Sequence, residues 1–136
     1  MGTLAGRRIV LGVTGGIAAF KAVEVASLLR KEGAELRVVM TRAAASFVTP
    51  LTFREVANAP VAETMWGAPQ HHAAHISLAS FAEMVLVAPA TANFLAKAAA
   101  GIADDMLTTT LLATRAPLLF APAMNTVMWE NPVTQE

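Results

Sequence analysis

The sequence predicts an α/β fold, a doubly wound parallel sheet formed by one domain over residues 1–136. Three observations carry the prediction. Short apolar runs alternate with stretches of helical period. Each run stops at glycine or proline. The first strand, a glycine turn, a helix and the second strand complete a βαβ unit within about 35 residues, which makes the sheet parallel and right-handed.

Arg8 to Thr14 (RIVLGVT) is apolar and β-branched, the pattern of a strand buried on both faces. After Gly15-Gly16 the period changes. Ala18, Ala22, Val25 and Leu29 recur at helical spacing, Lys21, Glu24 and Lys31 hold the other face, and Gly33 supplies the stop. Leu36 to Thr41 reads as the second strand. Residues 43–58 look helical but interrupted at Pro50, and Val61 to Ala74 has loop character. A short helix follows over His75–Ala82, then a third strand over Met84–Ala88 halted by Pro89. Ala92–Ala100 and Ala103–Thr114 read as helices, and Pro117–Ala121 as a fourth strand halted by Pro122. Sheets usually have about five or six strands, so four strands and an end at NPVTQE make the fold read as truncated at its C-terminus.

Hydrophobic residues make up 55% of the chain and charged residues 15%, against a usual charged share of roughly 25%. That apolar excess suggests burial between subunits. The formal net charge is zero and the basic residues are scattered, so neither nucleic acid nor an acidic membrane surface is expected as a partner. With no cysteine, disulfides, thiolate metal sites and a thiol nucleophile are absent from these residues, which fits a cytoplasmic protein. The basic start precedes an apolar run of only about seven residues ending in Gly-Gly, too short for a signal peptide. No stretch reaches the roughly 18 apolar residues of a membrane span.

Ligands of doubly wound sheets sit outside the carboxyl ends of the strands, near the point where strand order reverses. The segments to inspect are therefore Thr14-Gly15-Gly16, Thr41-Arg42-Ala43, Pro89 to Asn93 and Pro122 to Asn125. Gly15-Gly16 opens a helix and suits a phosphate, or is a tight turn without a ligand. Gly12, Gly15 and Gly16 do not fit G-x-G-x-x-G, and Thr41-Arg42 stands where a ribose-binding carboxylate would end the second strand. A dinucleotide is disfavoured, and a mononucleotide with one phosphate remains allowed. Thr91 and Asn93, taken alone, read as helix caps. Asp104-Asp105 reads as dipole stabilisation at a helix start, because adjacent carboxylates point apart on a helix. His71, His72 and His75 lie within five residues but lack a nearby carboxylate or cysteine, so no metal is expected. Taken alone, His75 is a surface or capping histidine more readily than a catalytic one. Asn125, with Met128 and Trp129 behind it, either offers an amide to a carboxylate or belongs to a loop packing its hydrophobes into a core.

The order and spacing of these pieces carry more than any one of them. GVTGGIAAFK, HISL, PATAN, AGIADDMLTT and PAMNTVMW, in that order between Arg8 and Pro132, resemble the homo-oligomeric flavin-containing cysteine decarboxylase family. Within it the sequence is most similar to the phosphopantothenoylcysteine decarboxylase branch of coenzyme A biosynthesis. The resemblance implies a flavodoxin-like (Rossmann-like) sheet and an FMN-dependent carboxy-lyase. It also implies a trimer, or a dodecamer of trimers, with FMN at subunit contacts. Carried over by motif, Gly15, Gly16 and Ile17 meet the phosphate and ribityl chain, together with Thr41, Arg42 and Ala43. Thr91, Ala92, Asn93 and Phe94 match the flavin-contacting segment, and Ala123 lies beside the flavin. His75 matches the catalytic histidine, and Asn125 the residue holding the substrate carboxylate.

The implied reaction is the decarboxylation of the cysteine moiety of 4'-phosphopantothenoylcysteine towards 4'-phosphopantetheine. It answers a chemical need: an ordinary cysteine offers no sink for the electrons left on the α-carbon, whereas its thioaldehyde does. Two departures stand out. Phe94 occupies a position where many relatives carry a small polar residue. The cysteine acid and the substrate-clamping flap of the synthetic branch match nothing in residues 1–136, so the final reduction step is expected to be missing. A lantibiotic-type peptidyl-cysteine decarboxylase and a non-catalytic FMN-binding regulatory subunit are alternatives. PAMNTVMW and His75 argue against the related flavin prenyltransferases.

Overall fold

The computed structural model describes residues 2–62 and 74–136, without the side chains of Ala74 and His75. The elements in chain order are β1 (Arg8–Val13), α1 (Ala19–Lys31), β2 (Glu35–Met40), a 3-10 turn (Ala44–Ser46), α2 (Pro50–Ala57), β3 (Val61–Ala62), α3 (Ala74–Phe81), β4 (Met84–Ala90), α4 (Ala92–Ala100), α5 (Met106–Ala113), β5 (Leu118–Pro122), α6 (Thr126–Glu130) and α7 (Pro132–Gln135). The sheet has five strands in the order β3-β2-β1-β4-β5, with every pair parallel. Leaving aside the two-residue β3, the longer strands run β2-β1-β4-β5, the order that opens a flavodoxin-like sheet. Strand order reverses between β1 and β4.

Alternation along the strands divides the core in two. Ile9, Leu11 and Val13 of β1 join Leu36, Val38 and Met40 of β2 under α1 and α2, where Phe53 is fully buried. Val10, Val39, Val85 and Val87 face the other way, against Leu78 of α3, Phe94 of α4, and Met106, Leu107 and Leu111 of α5. Both faces of β1 are covered, which is why its sequence is apolar without alternation. Gly12 lets α5 close on the sheet, since a Cβ there would meet Leu107 Cδ1 at 2.6 Å and Val87 Cγ2 at 3.2 Å.

The helical stretch expected over 43–58 is interrupted as the sequence suggests, between the 3-10 turn and α2, and Pro50 begins the second piece: Thr49 is the N-cap, its hydroxyl accepting from the Thr52 amide at 3.3 Å. At the first helical position proline lacks only an N–H that would be free anyway. Pro89 does not halt its strand, because β4 continues to Ala90 and its ladder with β5 is irregular between Val87 and Ala90. A residue without an N–H is tolerated where a ladder is already broken. The fifth strand, β3, falls in the stretch expected to be loop. The helix expected from Ala103 begins at Met106, behind the cap Asp105.

Candidate active site

The carboxyl ends of β1, β2, β4 and β5 open onto one cleft of about 1030 Å³. Its walls include Gly15, Gly16 and Ile17 after β1, and Thr41, Arg42 and Ala43 after β2. Thr91, Ala92, Asn93 and Phe94 follow β4, and Ala123 follows β5. All eleven residues that the family resemblance assigns to a cofactor line this one cleft. The cleft lies over the β1/β4 reversal, the place the topology favours.

The first wall is a turn of small residues. Among the described residues, none of the N–H groups of Gly15, Gly16, Ile17 and Ala18 donates to a protein acceptor. Gly15 is pressed against the next wall, for an added Cβ would collide with Ala43, reaching its carbonyl carbon at 2.8 Å. At Gly16 the nearest atom to such a Cβ is Thr91 Cγ2, at 3.4 Å, so this glycine borders open cleft. Arg42 is exposed, and no ion pair engages it among the described residues. Amides without a protein acceptor, an available guanidinium and a roomy, partly apolar cleft fit a mononucleotide carrying one phosphate.

On the remaining walls the polar side chains double as structural caps. Thr41 Oγ1 accepts from the Ala44 amide at 3.1 Å. Thr91 caps α4, accepting from the Phe94 amide at 3.2 Å. Asn125 caps α6 through Oδ1, which accepts from the Met128 amide at 2.9 Å. The amide nitrogen of Asn125 keeps its two donors, so capping and recognition of a carboxylate are compatible. The core-packing reading of this segment does not hold, since Met128 is 45% and Trp129 46% exposed. Asn125 itself is not among the lining residues, although its sequence neighbours Met124 and Met128 are. Phe94 is buried and meets Phe120 edge-to-face with ring centroids 5.3 Å apart, so its ring belongs to the core as much as to the cleft.

His75 is the second residue of α3, and its side chain lies outside the described residues, as do His71 and His72. Among the described residues no three His, Asp or Glu side chains gather as a metal site, and no helix is long and apolar enough to cross a membrane.

Sequence reasoning missed a charged rim. Lys97 of α4 and Asp104 both line the cleft and pair at 2.8 Å. That hydrogen bond raises the Lys97 ammonium above its ordinary range and lowers the Asp104 carboxyl below its own. Asp105 plays the helix-start part expected of it, in a capping box: its carboxylate accepts from the Thr108 amide at 2.7 Å, and the Thr108 hydroxyl accepts from the Asp105 amide at 3.2 Å. The only sequence signal for Lys97 was its position one turn before the Gly101 stop.

The chain resembles known proteins over almost its whole length. The family model for Flavoprotein matches residues 2–136. The chain is 48% identical over 137 residues to the coenzyme A biosynthesis bifunctional protein CoaBC of Vibrio vulnificus (strain YJ016), covering 100% of this chain and 34% of the relative. It thus spans about a third of that relative's length. Among solved structures, the FMN-dependent cysteine decarboxylase SpaF superposes with a TM-score of 0.88 at 40% identity, over 98% of this chain and 77% of that one. A cysteine-to-serine mutant of PPC decarboxylase, complexed with pantothenoylaminoethenethiol, superposes with a TM-score of 0.80 at 32% identity, over 96% and 74%. A flavodoxin-like sheet, a strand-end cleft and a match from residue 2 to residue 136 place this chain in the flavoprotein family.

Proposed function

We propose that the cleft binds FMN and that the chain decarboxylates the cysteine moiety of 4'-phosphopantothenoylcysteine towards 4'-phosphopantetheine. The observation that carries this reading is the convergence of four strand ends on one cleft, in a chain 48% identical to a coenzyme A biosynthesis protein. Bound FMN would supply the two-electron oxidation that turns the cysteinyl CH₂–SH into a thioaldehyde, the sink for the electrons released with carbon dioxide.

The rest of the work belongs to the chain. The amides of Gly15, Gly16 and Ile17 and the Arg42 guanidinium hold the phosphate. Thr41 and Ala43 close its other side. Thr91 to Phe94 and Ala123 form the wall against which the ring system rests. Asn125 donates through its amide nitrogen to the substrate carboxylate, and His75 moves a proton during the oxidation. The cleft's volume of about 1030 Å³ leaves room for cofactor and substrate together.

Self-association, as a trimer or a multiple of it, belongs to the same reading. Beside the cleft Ile17 is 77% and Phe20 57% exposed, and Leu118 and Leu119 of the edge strand β5 are about half exposed. Apolar surface of this extent is normally covered in solution.

A second reading takes a cysteine-terminated peptide as substrate. It is left open by the likeness to SpaF, an FMN-dependent cysteine decarboxylase, on which the chain superposes with a TM-score of 0.88. One experiment separates the two. Purified protein reconstituted with FMN is mixed anaerobically with each substrate, following loss of flavin colour and release of carbon dioxide. Turnover of phosphopantothenoylcysteine alone is the expected result. Turnover of the peptide alone would establish the second reading. Protein that takes up no FMN would end both.

A further inference from the structure

We infer that Thr14 is a positioning residue for the cleft: its buried hydroxyl ties together the two strand ends that part at the reversal of strand order. The bridge itself is a property of the protein alone, and its effect on a ligand rests on the FMN reading above.

The ladder between β1 and β4 runs from Ile9↔Met84 to Gly12↔Val87 and goes no further. Past that point each strand stays attached to its outer neighbour. Val13 pairs with Met40 of β2, and Ala90 pairs with Pro122 of β5. The two halves of the sheet are thus free to spread at the mouth of the crevice. Thr14, one residue beyond β1 and 1% exposed, spans the gap. Its hydroxyl donates to the Pro89 carbonyl at 2.5 Å and accepts from the Thr91 amide at 3.1 Å. Beyond the ladder's end, and among the described residues, these are the hydrogen bonds that join the two sides.

The placement matters because the bridged segments are two walls of the cleft. Gly15 and Gly16 follow Thr14 directly, and Thr91 begins the wall that continues through Ala92 and Asn93. A Cβ on Gly16 would stand 3.4 Å from Thr91 Cγ2, an ordinary contact, so the two walls are one methyl group apart beside the bridge. The hydroxyl therefore sets the distance between the phosphate-side amides and the wall reserved for the ring system. Removing it also leaves a buried carbonyl and a partly buried amide without their partner. Serine supplies the same donor and acceptor, whereas alanine and valine supply neither.

The test has two readouts. In FMN-free protein, hydrogen exchange at the Thr91 amide is measured by NMR for wild type, Thr14→Ser, Thr14→Ala and Thr14→Val. Exchange at least about tenfold faster in alanine and valine, equivalent to about 1.4 kcal/mol, with serine like wild type, is expected. Measuring both apolar variants separates loss of the hydroxyl from loss of bulk. With FMN present, Thr14→Ala should raise the dissociation constant at least about tenfold and shift the visible flavin spectrum, and Thr14→Ser should restore both. Thr91 exchange unchanged in Thr14→Ala, a defect in only one of the two apolar variants, or no rescue by serine would overturn the inference. Wild-type protein that binds no FMN while Thr91 exchange responds as expected would support the bridge and sink the FMN reading.

Discussion

Gly15 and Gly16 are neighbours in sequence, yet the structure predicts opposite outcomes for a single added methyl group. At Gly15 the Cβ of an alanine would overlap Ala43, with the Ala43 carbonyl carbon 2.8 Å and its Cα 3.1 Å away. Carbon atoms settle at about 3.5–4.0 Å, so the β1 turn and the segment after β2 must separate by roughly 1 Å. The obstacle includes backbone, which cannot swing aside as a long side chain does. Overpacking of this kind costs about 1–3 kcal/mol, offset by about 0.4–1 kcal/mol because alanine narrows the unfolded ensemble. The net loss of about 1–2 kcal/mol corresponds to a fall in Tm of roughly 3–7 °C for a chain of this size. The same displacement moves the amides of Gly15, Gly16 and Ile17. One hydrogen bond to a charged group is worth about 1.5–3 kcal/mol, so FMN affinity should fall by roughly ten- to a hundredfold.

Gly16→Ala meets only Thr91 Cγ2 at 3.4 Å, an ordinary contact. Its Tm should match wild type or rise slightly, while the methyl group intrudes on the cleft and weakens FMN. Thermal unfolding of the FMN-free proteins by circular dichroism, and titration of flavin fluorescence, measure the two effects separately. A Gly15→Ala protein with wild-type Tm and wild-type FMN affinity would refute the reasoning, because the collision with Ala43 would then have no consequence.

Three further outcomes follow from the site. Asn125→Asp keeps the α6 cap, because aspartate caps as well as asparagine, but faces the substrate carboxylate with a like charge. FMN binding should persist while stopped-flow flavin reduction slows about a hundredfold or more, equivalent to roughly 3 kcal/mol. His75→Asn should likewise retain FMN and lose substrate-driven reduction, and wild-type reduction rates would remove the histidine from the reaction. Asp104, lowered by the Lys97 hydrogen bond, contributes stability that is present above its ordinary 3.8 and is lost as pH falls through the lowered value. Lys97, raised by the same bond, contributes below its ordinary 10.5 and loses that as pH rises through the raised value. Lys97→Met should flatten the urea midpoint at both extremes, by a small amount because the pair is solvent-screened.

The sheet and its strand ends were legible because burial on both faces leaves a period-free apolar run, and glycine or proline marks where it stops. α4 was read as Ala92–Ala100 and is found there, since Thr91 and Gly101 cap its two ends. β3 escaped because two residues cannot show a period. Pro89 misled because proline marks a missing N–H, and whether that ends an element depends on a partner the sequence does not show. Lys97 as part of the cleft, and the bridging role of Thr14 within a segment the sequence had marked, were invisible for a related reason. Lys97 acquires its role when the turn after α4 returns Asp104 to it, and Thr14 when parallel register sets β1 beside β4.

For Thr91 the sequence sets capping against ligand binding, and at Asn125 the structure adds a cap that the sequence reading did not raise, but at a strand end the two roles are compatible. In a parallel sheet with helices on both faces, the carboxyl end of a strand leads into the start of a helix. The residue at that junction meets unsatisfied first-turn amides, and it also borders the crevice. A side-chain oxygen turned back to accept from the helix leaves any remaining donor able to turn towards the cleft. Thr91 Oγ1 and Asn125 Oδ1 are so used, at 3.2 and 2.9 Å. Alanine at either position removes the cap and the donor together, so a loss of activity would not say which had mattered. Asn125→Asp preserves the cap and changes only the group offered to the ligand. At Thr91 the pair Thr91→Ser and Thr91→Ala divides the question less cleanly, because serine retains both functions. Cap-preserving substitutions are therefore the informative ones along this rim.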